Sequence, residues 1–165
     1  MHDNSMELMR EFVKDYKLRD IIVLDIGSQD FNGSYKELFS EGKYIGVDIV
    51  RGSNVDVLMG SALWYLIKPV DLIISGQTIE HVEDIPAFMK EIYNKLNPDG
   101  LLCIIAPSSG PEHYYPVWSG HFSKKRLEKV FKDAGFVFVE CIETDVEPFK
   151  DVRCIGRKPE GKNEN

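Results

Sequence analysis

Two hydrophobic rhythms alternate along the chain. Short runs of Val, Ile and Leu are separated by stretches in which apolar residues return every three or four positions, the alternation expected of an α/β fold. Asn4 followed by Glu7 reads as a capped start, and Met6, Met9, Phe12, Val13 and Tyr16 then mark one face of a first helix. A first strand is expected at 21–26 (IIVLDI), a short helix at 34–39 closed by Gly42, and a second strand at 44–49 (YIGVDI). A third strand at 55–59 and a short helix at 62–67 precede Pro69, and VDLIIS at 70–75 is the fourth strand. Asp84 caps a helix carrying Phe88, Ile92 and Leu96, with Pro86 tolerated in its first turn and Asn97-Pro98-Asp99-Gly100 stopping it. A fifth strand follows at 101–106. Ser123 opens the last helix, with Leu127, Val130, Phe131 and Ala134 inward and Gly135 as its cap. The runs at 136–143 and 151–158 have no helix between them, so they pair as an antiparallel edge.

These elements assemble into a Rossmann-like, doubly wound sheet of about seven strands, mostly parallel with an antiparallel edge strand, and with helices on both faces. A chain of 165 residues at 43% hydrophobic content suits one domain. Residues 1–17 supply its N-terminal helix, 18–158 the core and 159–165 a polar tail. In such sheets ligands bind at the carboxyl ends of the strands, near the point where strand order reverses. Unusual polar residues fall there: 25–33 after the first strand, Asp48 after the second, 75–81 after the fourth and 107–122 after the fifth.

Charge narrows the partners. Twenty basic against 27 acidic side chains, for a net of −7, offer no basic patch to a nucleic acid. No stretch approaches the roughly 20 apolar residues of a membrane span, and residues 1–16 lack the apolar region of a signal peptide. A cytoplasmic protein without membrane or nucleic-acid partners is expected. Cys103, Cys141 and Cys154 each sit in an apolar run at wide spacing, which fits reduced core thiols, and no metal site is expected.

Gly27 lets the chain turn sharply after the first strand and bring its backbone close to a ligand. Asp48 ends the second strand about twenty residues later, where a carboxylate can take the hydroxyls of a ribose. Loop and acid together imply a nucleoside ligand. A nicotinamide dinucleotide fits less well, because the loop lacks the further glycines that let a pyrophosphate approach.

The run VLDIGSQ, the acid motif YIGVDI, the module SGQTIEHVEDIPAFMKEIYNKLNPDGLLCIIAPS and the turn HFSKKRLEKVFKDAGF stand in the order found in the class I S-adenosylmethionine-dependent methyltransferases, and residues 20–158 resemble the small type 11 members. The resemblance implies S-adenosylmethionine as cofactor, with Asp25, Gly27, Ser28 and Gln29 around its methionine end. It places Asp48 on the ribose, Ile49 against adenine, Ser61 and Ala62 near the adenine amino group, and Gln77 and Thr78 beside the sulfonium. Gln29 stands where the motif usually has its second glycine, Phe31 where a small residue is common, and Ser61 where an acid is common.

Displacement at a sulfonium methyl asks the protein to align an acceptor and, for a hydroxyl, to remove its proton. Candidate bases are His113 and His121 in the loop after the fifth strand, and His81 after the fourth. That loop, PSSGPEHYYPVWSGHF, is stiffened by three prolines and carries four aromatic rings. Tyr114, Tyr115 and Trp118 either wall an acceptor pocket or cap the core, and His81 either serves the chemistry or packs at a helix start. The expected function is methyl transfer to oxygen or nitrogen of a small-molecule acceptor such as a sugar or related metabolite. The alternative is a non-catalytic or partner-completed S-adenosylmethionine-binding module. No segment is set aside to cover the acceptor, so a homodimer is one way of closing the site.

Overall fold

The computed structural model describes residues 3–31, 33–112, 117–146 and 148–161. After helix α1 (Asp3–Asp15) come β1 (Ile22–Ile26), a 3-10 turn (Tyr35–Phe39), β2 (Lys43–Asp48), β3 (Val57–Leu58) and α2 (Ala62–Leu66). The second half runs β4 (Val70–Gly76), a 3-10 turn (Ile79–His81), α3 (Ile85–Asn94), β5 (Leu96–Pro107), α4 (Lys124–Asp133), β6 (Val137–Glu143) and β7 (Asp151–Arg157). The strands form one sheet in the order β3-β2-β1-β4-β5-β7-β6. The five strands β1 to β5 are mutually parallel, whereas β7 runs antiparallel to both β5 and β6. This is the doubly wound sheet expected, with β7 lying one place in from the edge and β6 outermost.

Strand period explains the two cores. Leu24 and Ile26 of β1 face a layer holding Trp64 of α2, Met89 and Ile92 of α3, and Leu127 and Phe131 of α4. Val23 faces the opposite layer, with Leu8, Met9 and Phe12 of α1 and with Tyr35 and Phe39. α1 therefore packs on the sheet. The fully buried Arg153 of β7 fixes it there, donating from Nη1 to the Leu8 carbonyl at 2.6 Å while Nη2 meets Glu140 Oε1 at 2.6 Å. The expected capping pair does not form. Asn4 instead donates to the Phe149 carbonyl at 2.7 Å, and Glu7 pairs with Arg10.

Two further departures from the sequence reading are local. Asn97–Gly100, expected as a plain turn outside the strand, is an excursion within β5: Val70 pairs with Leu96 and Leu72 already with Leu101. Only residues 49–56 join β2 to the parallel β3, fewer than the roughly dozen a parallel crossover usually takes, and they carry no helix.

The cysteine expectation is overturned. Cys141 and Cys154 are bonded to each other, and only Cys103 is free. The reason is register: they face one another across β6 and β7, with Cα atoms 4.1 Å apart. The sequence concealed this pairing because it depends on which strands are neighbours. In unreduced, urea-denatured protein, thiol titration should find one reactive thiol per chain and should find three after reduction. Replacing both Cys141 and Cys154 with Ala should lower stability by about 3 kcal/mol in urea unfolding, given the short loop that the bridge closes.

Candidate functional site

The chain leaves β1, crosses to β2 and β3 on one side, and returns to β4 on the other side of β1. The carboxyl ends of β1 and β4 therefore flank the switch point. Gly27 stands there at φ +83°, and a Cβ placed on it would lie 1.9 Å from Thr78 Oγ1. Thr78 is itself tied to the Gly76 carbonyl at 3.1 Å, so the two loops touch backbone to side chain with no spare volume. The N–H groups of Gly27 and Ser28 both turn toward the Val47 carbonyl, at 2.8 and 3.1 Å, which ends β1 against β2.

Beyond Gly27 the loop is fastened to the link after β2. Ser28 Oγ donates to the Asn54 carbonyl at 2.9 Å, and the Asp30 N–H to the Ser53 carbonyl at 3.1 Å. The Gln29 side chain lies over Gly52, where an added Cβ would come within 2.5 Å of its Nε2. Asp48 is gripped from three sides: Oδ2 accepts from Gln29 N at 3.1 Å, and Oδ1 accepts from Ile49 N at 2.7 Å and Val50 N at 3.2 Å. A carboxylate offers about four acceptor positions, so roughly one remains for a ligand hydroxyl. Gly33, at φ +112°, then turns the chain toward its 3-10 segment while its N–H bonds Asp30 Oδ1 at 2.7 Å.

Of the adenine-side candidates, Ile49 is 66% exposed at the end of β2. Ser61 caps α2, its Oγ accepting from Trp64 N at 3.3 Å, and Ala62 is the first residue of that helix. The serine therefore has a structural task that its position in the sequence did not announce.

Asp25 is buried rather than displayed. It takes a hydrogen bond from the Tyr44 hydroxyl at 2.5 Å, and burial, only partly offset by that bond and reinforced by the charge of Asp48, pushes its pKa up to about 7. A second buried acid, Glu80, was not singled out from the sequence. It is fully enclosed after β4, with neither oxygen hydrogen-bonded to another described residue, and burial, partly offset by its own backbone N–H and reinforced by the charge of Asp151, raises its pKa to about 8. Asp151 was also missed. It opens β7 opposite Pro107 and accepts from Gln77 Nε2 at 2.8 Å, so the Gln77 side chain is engaged with β7. Gln77 holds a left-handed backbone at φ +54°.

The loop after β5 is sewn to this turn. Ser119 N donates to the Glu80 carbonyl at 2.6 Å, Ser119 Oγ to the Val82 carbonyl at 2.6 Å, and His81 Nδ1 lies 2.8 Å from the Val117 carbonyl. Trp118 stands between two histidines, its ring centroid 6.0 Å from that of His81 and 5.2 Å from that of His121. The structure thus brings His81, Trp118 and His121 together. The remaining acceptor-side candidates, His113, Tyr114 and Tyr115, lie outside the described residues.

Gly27→Ala should cost on the order of 2–4 kcal/mol in urea unfolding, since it combines a disfavoured φ with a collision at Thr78. The raised pKa of Asp25 also has a defined sign. The folded chain keeps a proton that the unfolded chain releases, so this contribution to stability is complete below about pH 4 and is lost as pH rises through about 7. Asp25→Asn should therefore gain on the wild type by about 2 kcal/mol between pH 5 and pH 8, read from urea unfolding at the two values.

A family model described as "Methyltransferase domain" matches residues 3–141. No curated protein matches the sequence. Among solved structures, the chain is similar to a 1,6-didemethyltoxoflavin-N1-methyltransferase of Burkholderia thailandensis, crystallised with 1,6-didemethyltoxoflavin and S-adenosylhomocysteine. That likeness has a TM-score of 0.72 at 16% identity over 96% of this chain and 80% of the other. It is also similar to the YcgJ protein of Bacillus subtilis, with a TM-score of 0.68 at 16% identity over 97% and 100% of the two chains. A methyltransferase from Aquifex aeolicus, described as dependent on S-adenosylmethionine, gives 0.65 at 20% identity over 94% and 93%. With most of its length matched by the family model and its fold similar to these structures, the chain belongs to the methyltransferase-domain family and has the class I, S-adenosylmethionine-dependent fold.

Proposed function

We propose that this protein uses S-adenosylmethionine to methylate an oxygen or nitrogen atom of a small-molecule acceptor. The observation that carries the reading is Asp48, fixed at the end of β2 by three backbone N–H groups beside the Gly27 turn. A carboxylate held in this way has little freedom to lose when it receives a ribose hydroxyl. The close approach of Gly27 to Thr78 suits a ligand with no pyrophosphate, since the site needs only one glycine where a dinucleotide loop needs three.

In this reading the bound cofactor supplies an electrophilic sulfonium methyl. Asp48 holds the ribose, Ile49 meets the adenine, and the loop from Gly27 to Gln29 lies along the methionine end. The acceptor side is formed by the turn of Gln77 to His81 and by the loop carrying Trp118 and His121, with His81 or His121 receiving a proton from a hydroxyl or protonated amine. Asp48, half-buried at the end of β2, is the carboxylate this site presents, while Asp25, Glu80 and Asp151 lie buried beneath it; a negative group there favours a neutral or amine acceptor over an anionic one, and a sugar or related metabolite fits that requirement. The Burkholderia neighbour, an N1-methyltransferase of a small heterocycle, supports an acceptor of this size.

Calorimetric titration should show S-adenosylmethionine and S-adenosylhomocysteine binding in the micromolar range, roughly −8 kcal/mol, with NADH silent. Asp48→Ala should weaken both by about tenfold or more, a loss of about 1.5–3 kcal/mol. Absence of binding by either sulfur compound, or an unchanged affinity in the Asp48 variant, would remove the reading. The first outcome would turn attention to a partner-completed module.

A further inference from the structure

At the amino-terminal ends of β1 and β2, the far end of the sheet from the crevice, the surface holds a hollow of about 620 Å³. The second half of α1, the link into β1 and the end of the Tyr35–Phe39 turn enclose it. Its floor is apolar, made of the half-buried Val13, Leu18, Ile21 and Leu38, which pack on the core beneath α1. Gly42 is pressed against the start of β1, where an added Cβ would lie 2.3 Å from the Ile21 carbonyl oxygen. Ligand pockets run from about 300 to 1,000 Å³, so the space admits an organic molecule as well as a bare ion.

The rim is basic, in a chain whose net charge is −7. Arg10, Lys14, Lys17 and Arg19 stand on it against two acids, Asp20 and Glu41. Arg19 pairs with Glu41 at 3.7 Å and Arg10 with Glu7 of its own helix, whereas the ammonium groups of Lys14 and Lys17 have no ion pair among the described residues. The backbone is unusual here too. Leu18 N donates to the Val13 carbonyl at 3.1 Å and Lys17 N to the Lys14 carbonyl at 3.2 Å, the paired bonds that end a helix on a left-handed residue. Glycine is the usual occupant of that position, yet Lys17 takes it at φ +51°, and Asp20 repeats the conformation at φ +52°. A disfavoured backbone that carries an unpaired cation points to a use for the side chain beyond its local fold. The same two bonds satisfy carbonyls at the negative end of the helix dipole, which removes part of the repulsion an anion would meet there.

We propose that this hollow is a second binding site, for a small amphipathic anion. The apolar body of the ligand lies on Val13, Leu18, Ile21 and Leu38, and its carboxylate, sulfonate or phosphate group is held between Lys14 and Lys17. Neither part suffices alone: exposed lysines hold a bare anion weakly in water, and an apolar floor does not discriminate by charge. Together, burial of the body brings the headgroup to the lysines and excludes some of the water that screens them. The length of β1, roughly 16 Å, separates this site from the Gly27 turn, so its occupant does not compete with S-adenosylmethionine. The site is independent of methyl transfer.

The test titrates the full chain with anilinonaphthalene sulfonate, an aromatic anion, followed by its fluorescence and by amide shifts in isotope-labelled protein. One equivalent should bind with Kd on the order of 10–100 μM, shifting the amides of residues 13–21 and 38–42 and leaving those of Gly27 and Asp48 in place. Decanoate should displace it, and inorganic phosphate at the same concentration should not. Lys14→Glu combined with Lys17→Glu should weaken the probe at least tenfold without changing the affinity for S-adenosylhomocysteine. Lys17→Gly should weaken it about threefold while raising the urea midpoint, because glycine accepts the left-handed backbone; a lysine kept for stability would lower the midpoint instead. Should the double variant not fold, Lys17→Gly decides alone. Amide shifts confined to the crevice or to the groove between α3 and α4, or an unchanged affinity in the lysine variants, would overturn the proposal. So would binding of the chain to phosphatidylglycerol vesicles with no binding of either soluble anion, which would assign the basic rim to a membrane surface. Failure of S-adenosylhomocysteine to bind the wild type would count only against the methyltransferase reading.

Discussion

The meeting of Gly27 and Thr78 governs the rest of the molecule. Because the first turn after β1 closes directly on the turn after β4, the two halves of the sheet have a fixed relation at the point where strand order reverses. From this contact the loop of residues 28–30 is led sideways to the link after β2, and its hydrogen bonds to Ser53 and Asn54 deliver the Gln29 N–H to Asp48. A side chain at position 27 would separate these loops and release the carboxylate from one of its three donors. One small residue thus coordinates two strands and one ligand group.

Around this point buried acids outnumber buried cations among the described residues. Asp25, Glu80 and Asp151 all lie within a few per cent of full burial near the carboxyl ends of the strands, while the buried Arg153 is directed to α1 and Glu140. Such an arrangement is tolerable because the acids hold protons or accept from neutral donors such as Tyr44 and Gln77. A cationic ligand would offset part of the cost, and the sulfonium and ammonium groups of S-adenosylmethionine are of that kind.

Much of this was legible in the sequence, for identifiable reasons. The alternation of periods located the strands, because buried parallel strands must be apolar on both faces, and the Gly27 and Asp48 positions followed from the rule that ligands sit beyond strand ends. What escaped was relational. Glu80 carried no signal of its own in the sequence, and only the packed loop at residues 117–119 shows that it is sealed from water. Asp151 opened a strand whose place between β5 and β6 no local pattern specifies. Cys141 and Cys154 met for the same reason. Gln29, which departs from glycine in the motif, is accommodated by a second glycine at position 52, more than twenty residues away.

The tie between Arg153 and the Leu8 carbonyl spans 145 positions, and it sets an order of events during synthesis. α1 docks on a strand made long after it, and that strand must itself slip between β5 and β6, the latter already translated. At roughly 5–20 residues per second, the apolar stripe of Leu8, Met9 and Phe12 waits on the order of ten seconds for its full binding surface. Over that interval the nascent chain presents an amphipathic helix with nothing complete to cover it. The helix that closes this core is thus also left exposed to chaperones, and to aggregation, while the protein is being made.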